Sequence, residues 1–169
     1  KNLRVISVNA DYSAAFISIK SVAGGYLYQQ KDSHQGGLNN LNIVTKRKPT
    51  DNEYNAMDVG LKLVRHVKSN AIVLADKMQL LGVGAGQMSR IDSVKIAIQK
   101  VTDNGLNLHG AILASDAFFP FPDSVELAAE AGITAVIQPG GSIKDDEVII
   151  KANKLGIAMV FTGIRHFLH

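Results

Sequence analysis

The spacing of apolar residues predicts helices and buried strands between residues 51 and 114. Two segments repeat an apolar residue every three or four positions, which is the period of a helix with one buried face. The first stripe is Tyr54, Met57, Leu61 and Val64, and the second is Ile91, Val94, Ile98 and Val101. Apolar runs at 71–75, 80–83 and 111–114 predict strands, the first two pairing across a turn at 76–79. Asp51 is the expected cap of the first helix.

A short internal repeat extends this pattern toward the end of the chain. Residues 128–137 (AAEAGITAVI) and 152–161 (ANKLGIAMVF) each combine a helix end, a glycine and an apolar strand. Asp123 with Glu126, and Ser142 with Asp145, resemble capping boxes at the starts of these helices. Consecutive αβ units favour parallel strands. We therefore expect a three-layer α/β fold, with a mixed but mainly parallel sheet and helices on both faces.

The first 45 residues are less regular. Residues 3–8 and 17–30 are typical of strands and a turn, residues 31–42 are rich in glycine and asparagine and predict an exposed loop, and residues 43–45 predict a short strand. No domain boundary is evident in the pattern. The chain is therefore expected to form a single unit over residues 1–169.

Composition excludes several classes of protein. Apolar residues make up 46% and charged residues 20%, with no apolar run long enough to span a membrane and no signal peptide, so we expect a cytoplasmic protein without a membrane partner. The absence of cysteine, and of paired histidine spacing, argues against catalytic zinc. The net charge of +3 favours anionic ligands, but the basic cluster at 46–48 is interpreted as a solvated connector and no nucleic-acid surface is expected.

Chemically unusual segments follow three of the predicted strands. They are residues 115–123, 138–142 and 162–167, and carboxyl ends of parallel strands meet at one edge of a sheet. The first segment holds three phenylalanines and two prolines, which suit either a stacking wall for a flat heterocycle or a plug of the core. The turn at Gly141-Ser142 suits either an anion or an ordinary connection. Arg165 is either a phosphate or carboxylate ligand or a surface residue.

The glycine-rich segment 82–90 (GVGAGQMSR) is a weak nucleotide motif. It lacks the third glycine of a dinucleotide fingerprint and the lysine of a P-loop, so a dinucleotide-dependent oxidoreductase is disfavoured. Its glycines instead indicate a close backbone approach, to a ligand or to another strand. Asn70 lies at the junction between the first helix and the next strand. It is either a turn residue or a residue that binds the amide group of a ligand through its own donor and acceptor.

Taken together, six blocks resemble the AICAR transformylase/IMP cyclohydrolase family in consistent order, at its C-terminal part. They are VTKRKPT at 44–50, SNAIV at 69–73, GVGAGQMSR at 82–90, LASDAFFPFPDSVELAAEAGI at 113–133, QPGGSI at 138–143 and TGIRHFLH at 162–169. The resemblance implies formyl transfer from 10-formyltetrahydrofolate to AICAR in IMP biosynthesis. It also implies a cytidine-deaminase-like subdomain without zinc and a homodimer with active sites at the subunit interface.

The resemblance assigns roles to individual residues. It implies that AICAR contacts Asn70, Arg90, Phe118 and Arg165, with Asn70 also catalytic, and that the folate contacts Pro120, Phe121, Asp123, Gly141 and Ser142. A structural potassium ion near Asp116 and His169 is also implied. The family's catalytic Lys-His pair occurs nowhere in the chain, nor does its cyclohydrolase domain. We therefore expect an inactive fragment that supplies part of the site. The alternative is a non-catalytic nucleotide- or folate-binding module.

Overall fold

The chain divides into two compact units, residues 1–34 and residues 35–169, in a computed structural model that describes residues 4–7, 17–30, 32, 38 and 41–169. The division falls in the polar segment that was expected to be a loop, most of which lies outside the described residues. No boundary was evident there in the sequence pattern.

The first unit contains an antiparallel hairpin. Strands β1 (Ile17–Val22) and β2 (Gly25–Gln30) pair from Ile17 opposite Gln30 to Val22 opposite Gly25. Gly24, in the connecting turn, has φ of +82°, a conformation that side chains other than glycine rarely adopt. The expected strands and turn of 17–30 are confirmed. Residues 4–7 of the run at 3–8 carry no strand, and its ends lie outside the described residues.

The second unit is built on a six-stranded sheet of the described residues, in the order β3-β8-β7-β6-β4-β5. The strands are β3 (Asn42–Ile43), β4 (Ile72–Ala75), β5 (Leu80–Gly84), β6 (Ile112–Ser115), β7 (Ala135–Gln138) and β8 (Ala158–Phe161). The helices are α1 (Asp51–Val64), α2 (Arg90–Asp103), α3 (Asp123–Glu130) and α4 (Asp145–Lys154). The helices predicted from apolar spacing are confirmed, as is the pairing of β4 with β5.

The expectation of a mainly parallel sheet was wrong. The β6–β7 and β7–β8 pairs are parallel, as the αβ repeat predicted. The β3–β8, β4–β5 and β4–β6 pairs are antiparallel. A hairpin turn reverses β4 relative to β5, and β4 then joins β6 in the opposite direction. The repeat could report only on the strands that it contains.

The helices pack against opposite faces of this sheet. Met57 and Leu61 of α1 bury against one face with Val73 and Ile112, while residues of α2, α3 and α4 bury against the other with Leu74 and Leu113. Successive strand residues thus supply different faces, because side chains alternate along a strand. Each face has its own continuous apolar core.

Two glycines of β5 allow α2 to lie very close to the sheet. A Cβ on Gly82 would stand 2.5 Å from the carbonyl oxygen of Ala97, and one on Gly84 would overlap the backbone of Ser93. At Gly82 and Gly84 the close approach expected of the glycine-rich segment is therefore made to a helix. It fixes the position of the N-terminus of α2.

Helix starts differ from those expected. Thr50, not Asp51, caps α1 in a capping box with Glu53. Helix α3 begins at Asp123 after Pro122, with no side-chain cap, and α4 begins at Asp145 after Lys144. Ser142 accepts a hydrogen bond from the N–H of Lys144 at 3.1 Å instead of capping α4. In each case several polar residues precede the helix, and spacing alone does not choose among them.

The basic cluster at 46–48 is no simple connector. Arg47 donates to both carboxylate oxygens of Glu53, at 2.9 and 2.8 Å, and to the backbone carbonyls of Thr134 and Gly156. Burial alone would raise the pKa of Glu53, but hydrogen bonds from Arg47, Thr134 and Thr50, with the charge of Arg47, outweigh it and lower the pKa to about 2. The pair ties α1 to the amino ends of β7 and β8.

Candidate functional site

The carboxyl ends of β5, β6, β7 and β8 meet at one edge of the sheet, and the reversed β4 begins at that same edge. A cleft of about 510 Å³ opens there, which we call the edge cleft. It is lined by Asn70, Met88, Ser89, Arg90, Ile91, Ala117, Phe118, Pro120, Phe121, Asp123, Ser124 and Phe167. The structure thus brings together six of the predicted site residues: Asn70, Arg90, Phe118, Pro120, Phe121 and Asp123.

The three phenylalanines after β6 have different environments. Phe119 is fully buried in the core, with its N–H donating to Gln138 Oε1 at 3.1 Å. Phe118 is half-buried and Phe121 is 57% exposed, and both line the edge cleft. The two alternatives for this segment are therefore divided between its residues: Phe119 plugs the core, and its neighbours form an aromatic wall.

Asp123 lines the edge cleft beside this aromatic wall, at the first residue of α3. The residue is exposed, and its Oδ1 accepts from the backbone N–H of Ser124 at 2.7 Å. A carboxylate in the first turn of a helix is favoured by the helix dipole, and here it also faces solvent beside aromatic surface. Asp123 can therefore accept hydrogen bonds from a ligand without first breaking an ion pair.

Arg165 joins the site from the segment after β8. Its guanidinium carbon lies 5.0 Å from the ring centroid of Phe118, within cation–π distance. An ideal Cβ on Gly141 would stand 3.7 Å from Arg165 Nη2, so the turn after β7 also reaches this place. The expected convergence of the three segments is confirmed. Arg165 is exposed, which leaves its planar fork accessible to an anion.

The turn at Gly141-Ser142 is arranged differently from the expected anion site. The N–H groups of Gly141 and Ser142 both donate to Asp145 Oδ2, at 2.7 and 3.2 Å. The chain's own carboxylate thus takes the position that a ligand anion would occupy. The spacing of Ser142 and Asp145 indicated a contact between them, but not that the carboxylate would bind the turn.

Arg90 and Asp116 form a buried ion pair beneath the edge cleft. Nη1 of Arg90 donates to Asp116 Oδ1 at 2.5 Å and to Ser115 Oγ at 2.8 Å, and the side chains are 6% and 0% exposed. The second carboxylate oxygen of Asp116 accepts from Ser69 Oγ at 2.6 Å. A buried charge pair is tolerated when hydrogen bonds satisfy its other groups, and here both oxygens of Asp116 and both terminal nitrogens of Arg90 have partners.

Asn70 lies between this ion pair and the edge cleft. Its Oδ1 accepts from Arg90 Nη2 at 3.1 Å, and its Nδ2 donates to the carbonyls of Gln87 and Met88 at 2.9 and 3.1 Å. The peptide bond between Ser69 and Asn70 is cis. The three side-chain hydrogen bonds hold Asn70 in place, and it still lines the cleft.

The residues implied for potassium do not fit that ion as side-chain ligands. Both carboxylate oxygens of Asp116 are bonded, one of them to a guanidinium that would repel a cation. His169 is exposed, and its ring lies 5.4 Å from that of Phe167. Among the described residues, no group of three or more histidine, aspartate or glutamate side chains could hold a metal.

Several residues of the site were missed. Met88, Ile91, Ser124 and Phe167 line the edge cleft, and Ser69 bonds the last segment of the chain through Leu168. Phe167 belongs to the segment 162–167, which had already been marked as unusual from its sequence. An aromatic residue two positions after Arg165 was the available signal. Met88 and Ile91 flank an assigned arginine. Nothing in the spacing pointed to Ser69.

These features define a mixed α/β domain with an aromatic and cationic cleft at one edge of its sheet. The family model described as "AICARFT/IMPCHase bienzyme" matches residues 1–100, and the chain belongs to that family. The family recognised from the sequence blocks is confirmed. Among the described residues, no helix is both long and apolar enough to cross a membrane.

Curated relatives match the whole chain. It is 53% identical to the bifunctional purine biosynthesis protein PurH of Bacillus cytotoxicus and 53% identical to that of Sorangium cellulosum, covering 33% and 32% of those proteins. It is 52% identical to PurH of Aquifex aeolicus, covering 33%. The chain thus spans about a third of the length of these relatives.

Two solved structures show more distant similarity. One is a diaminohydroxyphosphoribosylaminopyrimidine deaminase/reductase of Thermotoga maritima, with a TM-score of 0.45, 18% identity, and coverage of 66% of this chain and 36% of that one. The other is a dCMP deaminase of cyanophage S-TIM5, with a TM-score of 0.44, 16% identity, and coverage of 62% and 91%. Similarity at this level assigns no function.

Proposed function

We propose that the complete protein carrying this chain transfers a formyl group from 10-formyltetrahydrofolate to the 5-amino group of AICAR, giving FAICAR in the synthesis of IMP. The amine attacks the formyl carbon, the bond from that carbon to the folate nitrogen breaks, and tetrahydrofolate leaves with the proton released by the amine. Membership of the family and relatives named as purine biosynthesis proteins support this. This chain would supply part of both binding sites.

The single observation that carries the proposal is that Asn70 and Phe118 line the edge cleft while Arg165 lies over the ring of Phe118. AICAR combines a flat heterocycle, a carboxamide and a phosphate. The ring of Phe118 offers a stacking surface, the exposed fork of Arg165 suits the phosphate, and Asn70 with Arg90 behind it suits the carboxamide. Each part of the substrate would have a matching group in the edge cleft or beside it.

The folate would occupy the outer part of the cleft. Phe121 and Pro120 offer apolar surface for its ring system, and Asp123 offers carboxylate oxygens to its N–H groups. Gly141 and Ser142 would contribute the shape of their turn rather than free N–H donors, because Asp145 already accepts from them. A polar group left without its partner in such a site costs about 1–3 kcal/mol, which favours sharp recognition.

The chain would represent one subdomain, at the C-terminal part, of the transformylase region. This subdomain would have a deaminase-like fold that does not use zinc. The chain contains no cysteine, which agrees with the lack of a catalytic zinc site. The Lys-His pair that supplies the catalytic base in the family would come from outside this chain, and the active enzyme would be a homodimer. The proton acceptor and the remainder of both binding sites would then be supplied by the rest of the protein.

The test is tetrahydrofolate release by the complete protein, supplied with AICAR and 10-formyltetrahydrofolate. We expect turnover on the order of 1–10³ per second, the ordinary enzyme range. Asn70→Ala should lower kcat more than it raises KM for AICAR, because an orienting group acts chiefly in the transition state. Binding of either ligand without turnover by the complete protein would instead favour a non-catalytic module. Absence of binding would refute both.

A further inference from the structure

Residues 139–142 connect β7 to α4, and we call this connection the β7–α4 turn. It is fastened to the start of α4 by one carboxylate. Asp145, the first residue of that helix, accepts hydrogen bonds at Oδ2 from the backbone N–H groups of Gly141 and Ser142, at 2.7 and 3.2 Å. The N–H of Asp145 in turn donates to the carbonyl of Ser142 at 3.1 Å. Because bonds to an ionised acceptor are stronger than those between neutral groups, the carboxylate holds the turn against the helix.

The other side of the β7–α4 turn supports the segment that carries Arg165. The carbonyl of Pro139 accepts from the N–H of Gly163, two residues before Arg165, at 3.1 Å. Gly140 lies so close to Phe161 that a Cβ on the glycine would stand 2.4 Å from the phenylalanine ring. A shift of the turn would therefore also shift the segment after β8.

The guanidinium of Arg165 is placed by packing. Its carbon lies 5.0 Å from the ring centroid of Phe118, and an ideal Cβ on Gly141 would touch Nη2 at 3.7 Å. Among the described residues, the guanidinium has no hydrogen-bond or ion-pair partner. Its position therefore depends on where the ring and the turn lie, and its donors remain available for a bidentate contact with a phosphate.

We propose that Asp145 is a positioning residue: by holding the β7–α4 turn, it keeps Arg165 where the guanidinium can bind the phosphate of the ligand. The inference rests on the proposed function, in which that ligand is AICAR. The charge of Asp145 acts in the opposite direction, because a carboxylate repels a nearby phosphate. Loss of the side chain should therefore weaken phosphate binding if Asp145 positions Arg165, and strengthen it if Asp145 acts only as a charge.

A ligand pair measured on the complete protein tests the sign. AICAR and its riboside differ only in the phosphate, so the ratio of their dissociation constants reports on that group. We expect the wild-type protein to bind AICAR at least about tenfold more tightly, the order expected of hydrogen bonds between charged groups. Asp145→Ala should reduce this preference by about fivefold and change the Kd of the riboside by less than about twofold. An unchanged or increased preference would overturn the proposal.

Asp146→Ala is the matched control. Asp146 is exposed and lies in the same first turn of α4, but the N–H groups of Gly141 and Ser142 donate to Asp145. The control removes the same charge from the same end of the helix, and should leave the preference within about twofold of the wild-type value. An equal fall in Asp146→Ala would trace the effect to the helix end in general, which would also overturn the proposal.

A double-mutant cycle tests whether Asp145 acts through Arg165. The variants are Asp145→Ala, Arg165→Ala and their combination, each measured for the Kd of AICAR. If the carboxylate only positions the guanidinium, Asp145→Ala should weaken binding by about fivefold when Arg165 is present and by less than about twofold when it is absent. Losses that multiply would show that the two residues act separately, against the proposal.

A second variant reaches the β7–α4 turn without altering Asp145, and decides the matter if Asp145→Ala does not fold. Gly141 has φ of +93°, so Gly141→Ala strains the turn and adds a methyl group beside Arg165. It should lower the preference for AICAR by about fivefold. Gly156→Ala, at φ of +70° with open space around it, imposes similar strain beyond the end of α4 and should leave the preference unchanged. Equal preferences in the two variants would overturn the proposal.

Failure of this inference is distinguishable from failure of the proposed function. If the wild-type protein does not bind AICAR, or binds the riboside equally well, the proposed function with Arg165 at the phosphate fails before any variant is compared. If the wild-type protein prefers AICAR and the variants give the contrary results, only the role of Asp145 fails.

Discussion

Phe119 and Phe121 are a matched pair for testing the aromatic wall, because they are two positions apart and differ in burial. Phe119 is 0% exposed and Phe121 is 57% exposed. Truncating a fully buried phenylalanine to alanine costs about 3–5 kcal/mol, whereas a change at an exposed site usually costs about 0.5 kcal/mol or less. Replacement by alanine should therefore mainly lower stability at Phe119 and leave stability nearly unchanged at Phe121.

For Phe119→Ala we expect a large loss of stability. In a domain of this size, each kcal/mol lowers Tm by roughly 2–4 °C, so the loss should be on the order of 10 °C. For Phe121→Ala we expect Tm to change by no more than about 2 °C and the KM for 10-formyltetrahydrofolate to rise about tenfold, since aromatic contact is worth about 0.5–1.5 kcal/mol beyond its buried area. The KM for AICAR should stay within about twofold.

The assay is thermal unfolding together with steady-state kinetics of both substrates on each variant of the complete protein. Phe119→Ala serves as the control for damage to the fold. If Phe121→Ala lowered Tm as much as Phe119→Ala and left the KM for folate unchanged, the assignment of Phe121 to the ligand wall would be refuted.

Three further predictions concern the ion pair between Arg47 and Glu53, the packing of α2 on the sheet, and the isolated chain. Because the pKa of Glu53 is lowered to about 2 from 4.5, its charged form stabilises the folded state above pH 4.5, and this stabilisation, about 3 kcal/mol, is lost as the pH falls from 4.5 to 2. Urea unfolding of Glu53→Gln should lack this acid-dependent loss; equal pH slopes for the two proteins would contradict it. Gly84→Ala should destabilise the fold by about 1–3 kcal/mol or more in urea unfolding, because its Cβ would overlap the backbone of Ser93, whereas Gly25→Ala, with open space around it, should not. The isolated chain should show negligible formyl transfer in the tetrahydrofolate assay, since it lacks the Lys-His base; turnover near 1 per second would place the base within it.

Much of the fold was predictable because apolar spacing reports burial directly. Met57, Leu61 and Val64 mark the buried side of α1, and Gly132 and Gly156 adopt the positive φ values, +94° and +70°, that the ends of α3 and α4 require. Strand direction was less accessible, because a short apolar run has the same pattern whichever way it points. The αβ repeat gave the direction of β7 and β8 but carried no information about β4.

The site was predictable where residue type implies chemistry and unpredictable where pairing decides it. The aromatic segment and Arg165 could be assigned to one edge from topology, and their contact follows from it. The partners of Arg90 could not, since Asp116 lies 26 positions away and either residue could have faced a ligand. Nor could the sequence show that Asp145 accepts from Gly141 and Ser142, because turn conformation determines where those N–H groups point.

The reversal of β4 has a consequence for how the site forms during folding. Asn70 precedes β4, whereas Phe167 follows β8, so the edge cleft draws on segments that are far apart in the sequence. Contacts between distant parts of a chain pay the full entropy of loop closure before they contribute stability, and such contacts form late. Ligand binding should therefore return only after β8 has joined the sheet, and a ligand present during refolding would act on the last step of assembly rather than on the first collapse.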